Sequence, residues 1–353
     1  MPNWLESMRQ TFEYYVVDPG TWKDVKKIEN VKSSSIKRDL DTETISSATL
    51  DVVDSLGESY VRIYLITTQN GVTEKFPLGT FLVQTPSSSF DGKSRAVSMD
   101  AYSPLLELKE NLPPLGYSVL KGENVMSTAY MLTREYVRAP VVETECSTKL
   151  FSDFVAETND TWVSFLIDFI ANAKYTFDLD EMGRVLFTPK QDTASLQPVW
   201  EYTDDNSSIL LPEITMDHDL YGIPNVVEVI YSSGSEYYYA KVINDDPNSP
   251  TSTINRGREI LHRETNPDSL GNPTENQIQS YAKQRLRELS TVEYSVTYTH
   301  GYCPVRVGDC VRLTYTRAGI NGIKAKVISQ SIKCVPGCQV TEKAVFTNKL
   351  WEG

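Results

Sequence analysis

The chain has 353 residues and a mass of 39.8 kDa, room for two to four compact units with ample core. Its net charge of −13 argues against a general nucleic-acid-binding surface or an anionic-membrane partner. The longest strongly apolar run, residues 163–171, is short and carries Asp168, which argues against a transmembrane helix. No signal peptide is expected, since Trp4 and Glu6 stand where a basic head and apolar run would begin. Synthesis and assembly are therefore expected in the cytoplasm, with the five cysteines reduced at the outset.

Twenty tyrosines, against eleven phenylalanines and five tryptophans, favour a β-rich build with many half-buried positions. Residues 12–17 and 22–28 flank Asp18-Pro19-Gly20 and read as a β-hairpin. Strands follow near 46–53, 60–67, 76–84 and 94–101, with Asn70-Gly71 and Asp91-Gly92 as turns. Closely spaced turns without helical periodicity predict a first β-barrel or sandwich over residues 1–110. Ser103-Pro104 opens a short helix through Leu105, Leu106 and Leu108 that ends this segment.

Asn111-Leu112-Pro113-Pro114 marks a boundary. Residues 111–200 read as an α+β insert with helices over 123–137 and 161–172. The second helix has Asp160 as its expected cap and an apolar stripe of Trp162, Phe165, Leu166, Phe169 and Ile170. A hairpin follows, strands 175–179 and 184–189 across Asp180-Glu181-Met182-Gly183.

Residues 201–353 read as a second β-barrel carrying a helix over 274–290. A strand entered at Pro224-Asn225 pairs across Ser233-Gly234 with residues 237–243, residues 245–253 form a surface loop, and 260–264 are a further strand. Thr274 and Gln277 form a capping box, after which Ile278, Tyr281, Ala282, Leu286 and Leu289 fall on one helical stripe. The period then becomes two: Val292, Tyr294, Val296 and Tyr298 point one way, and His300-Gly301 breaks the strand. Gly308-Asp309 is a turn leading into a strand over 310–315, and strands over 324–334 and 339–346 close the set. A helix laid on a twisted antiparallel sheet or small barrel is the economical way to bury both apolar faces.

A helix ending in AKQRLREL, a strand, then VGDCVRL and a closing pair of strands resembles the C-terminal part of phage baseplate hub proteins. The same proteins occur in siphophage tail tips, tail-associated lysins and phage-derived contractile injection machines. Met99-Asp100-Ala101-Tyr102-Ser103-Pro104-Leu105-Leu106 resembles the strand and short helix that close their first barrel. The helical pair and glycine-tipped hairpin resemble their insert. The resemblance implies two tandem antiparallel barrels around a helical α+β domain. It also implies a homotrimeric structural hub joining the tail tube to a central spike, with distal tail, baseplate and tape-measure proteins as neighbours. A receptor- or carbohydrate-binding tip subunit is the alternative, and a peptidoglycan hydrolase component a weaker one. With Gly353 following the second barrel directly, no appended hydrolase domain is expected.

No nucleophile elbow, His-Glu-x-x-His, phosphate loop or dinucleotide fingerprint is present, and no catalytic or cofactor-binding residue is expected. Paired carboxylates suited to glycoside cleavage arise easily among 47 acids, so no pair is singled out. His218, in Met216-Asp217-His218-Asp219, could act as a base or bind a divalent ion, but an Asp-rich turn explains it as well. Arg256, Arg258, Arg263, Lys283, Arg285 and Arg287 could track a phosphate backbone; facing solvent or a neighbouring subunit is the simpler reading. Residues 201–255 hold ten acids and one lysine, whereas 256–353 hold fourteen Lys/Arg and nine acids, a bias suited to packing between segments or copies. Cys303, Cys310, Cys334 and Cys338 form the one cluster that could hold zinc or an iron–sulfur centre, or pair as a disulfide. A hairpin folded near Ile320 would set Val307 opposite Cys334 and Cys303 opposite Cys338. Their spacing fits no standard knuckle, so free thiols in tight barrel corners are expected and no metal.

Overall fold

The computed structural model describes every residue except 54–55, 91–94, 192, 194, 206–207, 234–235, 268–269 and 272. The turns expected at Asp91-Gly92 and at Gly234 lie outside the described residues. The protein is mainly β, with large antiparallel sheets and few helices. It divides into two compact units: Met1–Ile214 with Thr297–Ala344, and Thr215–Val296 with Val345–Gly353.

The first unit opens with β1 (Arg9–Asp18), β2 (Lys23–Lys27), β3 (Val31–Asp39), β4 (Ser46–Val52), β5 (Tyr60–Gln69), β6 (Val72–Phe90) and β7 (Arg95–Tyr102). They pair antiparallel in the order β3-β4-β7-β6-β5-β1-β2. Asn70 and Gly71 take φ of 50° and 78° between Gln69 and Val72, the mirror-image turn that matches strand twist. Strand β5 does not alternate: Tyr60 through Leu65 are all buried, Arg62 included, so both its faces are covered.

Next come α1 (Leu106–Lys109), β8 (Ser118–Val119), α2 (Val125–Tyr136), β9 (Phe154–Val155), α3 (Trp162–Ala171), β10 (Tyr175–Leu179) and β11 (Val185–Pro189). The stripe of α3 is buried as its spacing requires, and it shares one core with Val17, Trp22, Ile45, Tyr60 and Leu82 of the sheet. Its cap differs from expectation. Thr161 Oγ1 accepts from the Ser164 amide, while Asp160 accepts from the Ser164 hydroxyl and the Glu157 amide. Asp160 therefore braces the capping turn from one residue upstream.

The remaining elements are β12 (Trp200–Tyr202), β13 (Leu210–His218), β14 (Val226–Ser233), β15 (Glu236–Ile243), α4 (Thr253–Arg256), β16 (Leu261–Thr265), α5 (Glu275–Leu289), β17 (Thr291–Gly301), β18 (Cys310–Tyr315), β19 (Ile320–Lys333) and β20 (Gln339–Lys349). Within the first unit β19 pairs with β3 and β18, and β12 lies parallel to β18. Strand β17 runs on through His300 to Gly301 instead of breaking there, because the His300 side chain stays in phase with buried Tyr298. The β18–β19 hairpin turns through a 3-10 segment, Thr316–Ala318, closed by Gly319 at φ 73°. Cys310 therefore faces Lys326 and Tyr315 faces Ile320. This register corrects the expected one, since the chain reverses about two residues before a turn centred on Ile320 would.

In the second unit α5 covers a three-stranded sheet ordered β15-β14-β16, in which β16 runs parallel to β14. Ile278, Ala282 and Leu286, all fully buried, pack on Val227, Val229, Tyr231, Ala240 and Val242. Gln277 Oε1 accepts from the Thr274 amide and hydroxyl, completing the expected box.

Candidate functional site

The first unit holds two concentrations of charged and polar side chains, each built from strands far apart in sequence. In the first, the period-two pattern of β17 sends Tyr298 and His300 inward, and that of β20 sends Glu342 inward between Val340 and Ala344. Tyr202 arrives from β12 and Gln330 from β19. The Glu342 carboxylate accepts from Tyr298 OH (2.7 Å), Tyr202 OH (3.2 Å) and Gln330 Nε2 (2.6 Å), and lies 3.3 Å from His300 Nε2. His300 Nδ1 donates to the Gly301 carbonyl at 2.6 Å. Gln330 also donates to Val305 O and accepts from Arg38 Nη1.

Burial opposes charge on the His300 ring, yet hydrogen bonds to Cys303 and Glu342 outweigh it and raise its pKa to about 10. Burial likewise works against the Glu342 carboxylate, and the His300, Tyr298 and Gln330 contacts hold its pKa below the usual range. The two form an ion pair with both side chains 0% exposed. Such a pair, closed on all sides by hydrogen-bonded partners, can fix the mutual register of four strands. It presents nothing to a substrate.

The second concentration clamps the tip of the β10–β11 hairpin. Trp22 Nε1 (2.7 Å) and Arg62 Nη2 (3.1 Å) both donate to the Met182 carbonyl. Arg62, 1% exposed, also bonds Thr80 Oγ1 and pairs with Asp24 at 2.6 Å. Arg306 donates to Leu179 O at 2.5 Å and pairs with Glu181 at 2.7 Å. Gly183 is required here twice over. Its φ is +76°, and a Cβ would lie 2.6 Å from the Thr80 Cβ. The tip tetrad was legible as a turn in the sequence; the arginines that hold it were not.

The four candidate cysteines are all buried and free. Cys303 Sγ lies 3.2 Å from Tyr202 OH, Cys334 and Cys338 flank the turn at Gly337 (φ +96°), and Cys310 Sγ lies 3.9 Å from the Val311 carbonyl. Among the described residues no three His, Cys, Asp or Glu side chains converge as metal ligands would. Burial raises the Cys310 thiol and lifts Cys334 to about 11, which keeps both protonated at neutral pH.

His218 stacks on Tyr294, ring centroids 4.6 Å apart and planes 11° from parallel. Four of the basic side chains that could track phosphate have local partners. Arg256 donates to the Ile223 and Leu220 carbonyls, Arg263 pairs with Glu228, Arg285 with Glu264 and Glu288, and Arg287 donates to Glu352 O.

No family model and no curated protein matches the chain. Solved structures do. A tail protein from Neisseria meningitidis MC58 superposes over 95% of this chain and 97% of its own, with a TM-score of 0.62 at 15% identity. The fold is that of phage tail proteins. The 43 kDa tail protein of prophage MuSo2 from Shewanella oneidensis matches over 95% and 96% of the two chains, TM-score 0.60 at 10% identity. An E. coli type VI secretion component, itself similar to the bacteriophage T4 tail proteins gp27 and gp5, matches over 96% and 78%, TM-score 0.52 at 7% identity.

Proposed function

We propose that this chain is a structural hub of a phage or phage-like tail, joining the end of the tail tube to a central spike as a homotrimer. The observation that carries this reading is the end-to-end match to tail proteins, with 95% of the chain covered. The similarity to a secretion component related to T4 gp27 and gp5, and to a complex containing VgrG, favours the spike-proximal position within a tail. In this reading the first β-segment (1–110), the insert (111–200) and the second β-segment (201–353) supply two barrel-like modules per chain, so that three chains offer six. Such a ring matches a sixfold tube to a threefold spike. Tail tube, distal baseplate and tape-measure proteins are its neighbours in the virion tail, and it works without catalysis or cofactor.

The sealed ion pair and the clamped hairpin suit this role, because a hub transmits load through fixed strand registers and needs no open cleft. Light scattering of the purified chain, alone and with tube and spike proteins added, tests it. A trimer, or a monomer that trimerises with either partner, is expected. A stable dimer, or a chain that joins neither partner, would overturn it, and cleavage of purified peptidoglycan would move the reading to the hydrolase class.

A further inference from the structure

Residues 143–147 cross the surface of the insert between two single-residue bridges, Val141 to Val185 and Asn124 to Lys149. Between those bridges the segment uses alternate residues to hold itself down. Val142 N donates to Val185 O, Thr144 exchanges hydrogen bonds with Tyr130 OH, Cys146 O accepts from Asn124 Nδ2 and Thr148 O accepts from Val125 N. The intervening residues show the complementary pattern. Glu143, Glu145 and Ser147 are exposed, and their backbone groups make no hydrogen bond to any described residue. Alternation of this kind is the geometry of an extended strand whose second edge is open.

We propose that this edge takes up an extended, lysine- or arginine-bearing segment of a partner protein as an added strand. The free N–H and C=O groups of Glu143, Glu145 and Ser147 would supply the ladder. Charge selects the occupant. Glu143 and Glu145 project from successive outward positions, Arg134 pairs with Glu143 alone, and Glu145 has no ionic partner among the described residues. A strand laid opposite them gains most if its facing residues are basic. An open groove of about 520 Å³ runs along the segment, lined by Glu143, Glu145 and Ser147 together with Met126, Ser127 and Tyr130 of α2. This inference stands apart from the hub reading, since any assembly partner with such a segment satisfies it.

The test uses the full chain and fluorescein-labelled nonapeptides: alternating Lys and Val, alternating Glu and Val, and the Lys/Val peptide with a central proline. Anisotropy should show saturable binding of the Lys/Val peptide, at least tenfold weaker for the other two. Changing Glu143→Lys and Glu145→Lys together should reverse the preference between basic and acidic peptides while leaving the backbone edge intact. No binding of the Lys/Val peptide would overturn the proposal. So would equal binding of the proline peptide, which would mean charge attraction without a ladder. A double variant with unchanged preference would place the binding elsewhere and overturn it too.

Discussion

Two charge networks of this protein use similar chemistry in opposite surroundings. In the first unit His300 and Glu342 pair at 0% exposure, ringed by Tyr202, Tyr298 and Gln330. In the second unit Glu264 gathers Arg285, His262 and Tyr281 between β16 and α5, with Arg285 about one-third exposed. Glu228 and Arg263 pair on the same small sheet, and Arg263 is more than half exposed. Distances alone would rank the second group higher, since Arg285 approaches Glu264 to 2.6 Å while His300 lies 3.3 Å from Glu342. Solvent decides otherwise. A buried charge that loses its partner is stranded in a poor dielectric, whereas an exposed one is simply rehydrated.

The largest expected effect is therefore Glu342→Ala. It leaves the His300 ring, two tyrosine hydroxyls and Gln330 without their common acceptor, and should cost about 3–5 kcal/mol in urea unfolding. Replacing His300 and Glu342 together by apolar residues of similar volume should cost much less, because no stranded charge remains. If the double replacement is as damaging as the single one, the ring acts by shape and not by charge, and the contrast with the second unit fails. Leu286→Ala gives an apolar benchmark within that second unit. The side chain is fully buried on α5, so about 2–5 kcal/mol is expected from unfolding followed by helix circular dichroism.

The pH dependence sharpens the same contrast. His300 has its pKa raised, so its contribution is complete below the ordinary value of 6.5 and is lost as pH rises through about 10. Glu342 has its pKa lowered, so its contribution is complete above the ordinary value of 4.5 and is lost as pH falls through its folded value. Both are complete between roughly pH 4.5 and 6.5. The difference in Tm between the protein and its Glu342→Gln variant should be widest in that window and shrink toward pH 10. A difference that stays flat from pH 6 to 10 would mean that His300 is neutral in the fold.

Much of this architecture was legible because local pattern and tertiary role agree. Asn70-Gly71, the α3 stripe and the Thr274–Gln277 box each encode their geometry within a few residues, and each appears as read. The sealed ring was hidden for the opposite reason. Its members come from strands separated by up to 140 positions, and no spacing along the chain brings Tyr202 to Glu342. One signal was available: His300 and Glu342 each occupy the apolar phase of an alternating strand, Glu342 between Val340 and Ala344. Two opposite charges on inward phases predict one another. The open edge at 143–147 carries no such signal, since Glu-Thr-Glu-Cys-Ser reads as loop until Tyr130 and Asn124 are seen to pin its alternate residues.

The smallest expected effect is Arg285→Ala. The sequence places Arg285 off the apolar stripe of α5, facing solvent or a neighbouring copy, and the structure gives it internal partners, Glu264 at 2.6 Å and Glu288 at 3.1 Å. With the side chain 33% exposed, the pair with Glu264 should contribute about 0.2–1 kcal/mol, in the range of exposed ion pairs. A double-mutant cycle with Glu264→Gln isolates that coupling, and raising the salt should shrink it, because water and ions reach the guanidinium. His262 and Tyr281 remain on Glu264 when Arg285 is removed, so the carboxylate is not stranded. A coupling above about 2 kcal/mol, or one insensitive to salt, would put this network in the class of the sealed ring and remove exposure as the variable that separates them.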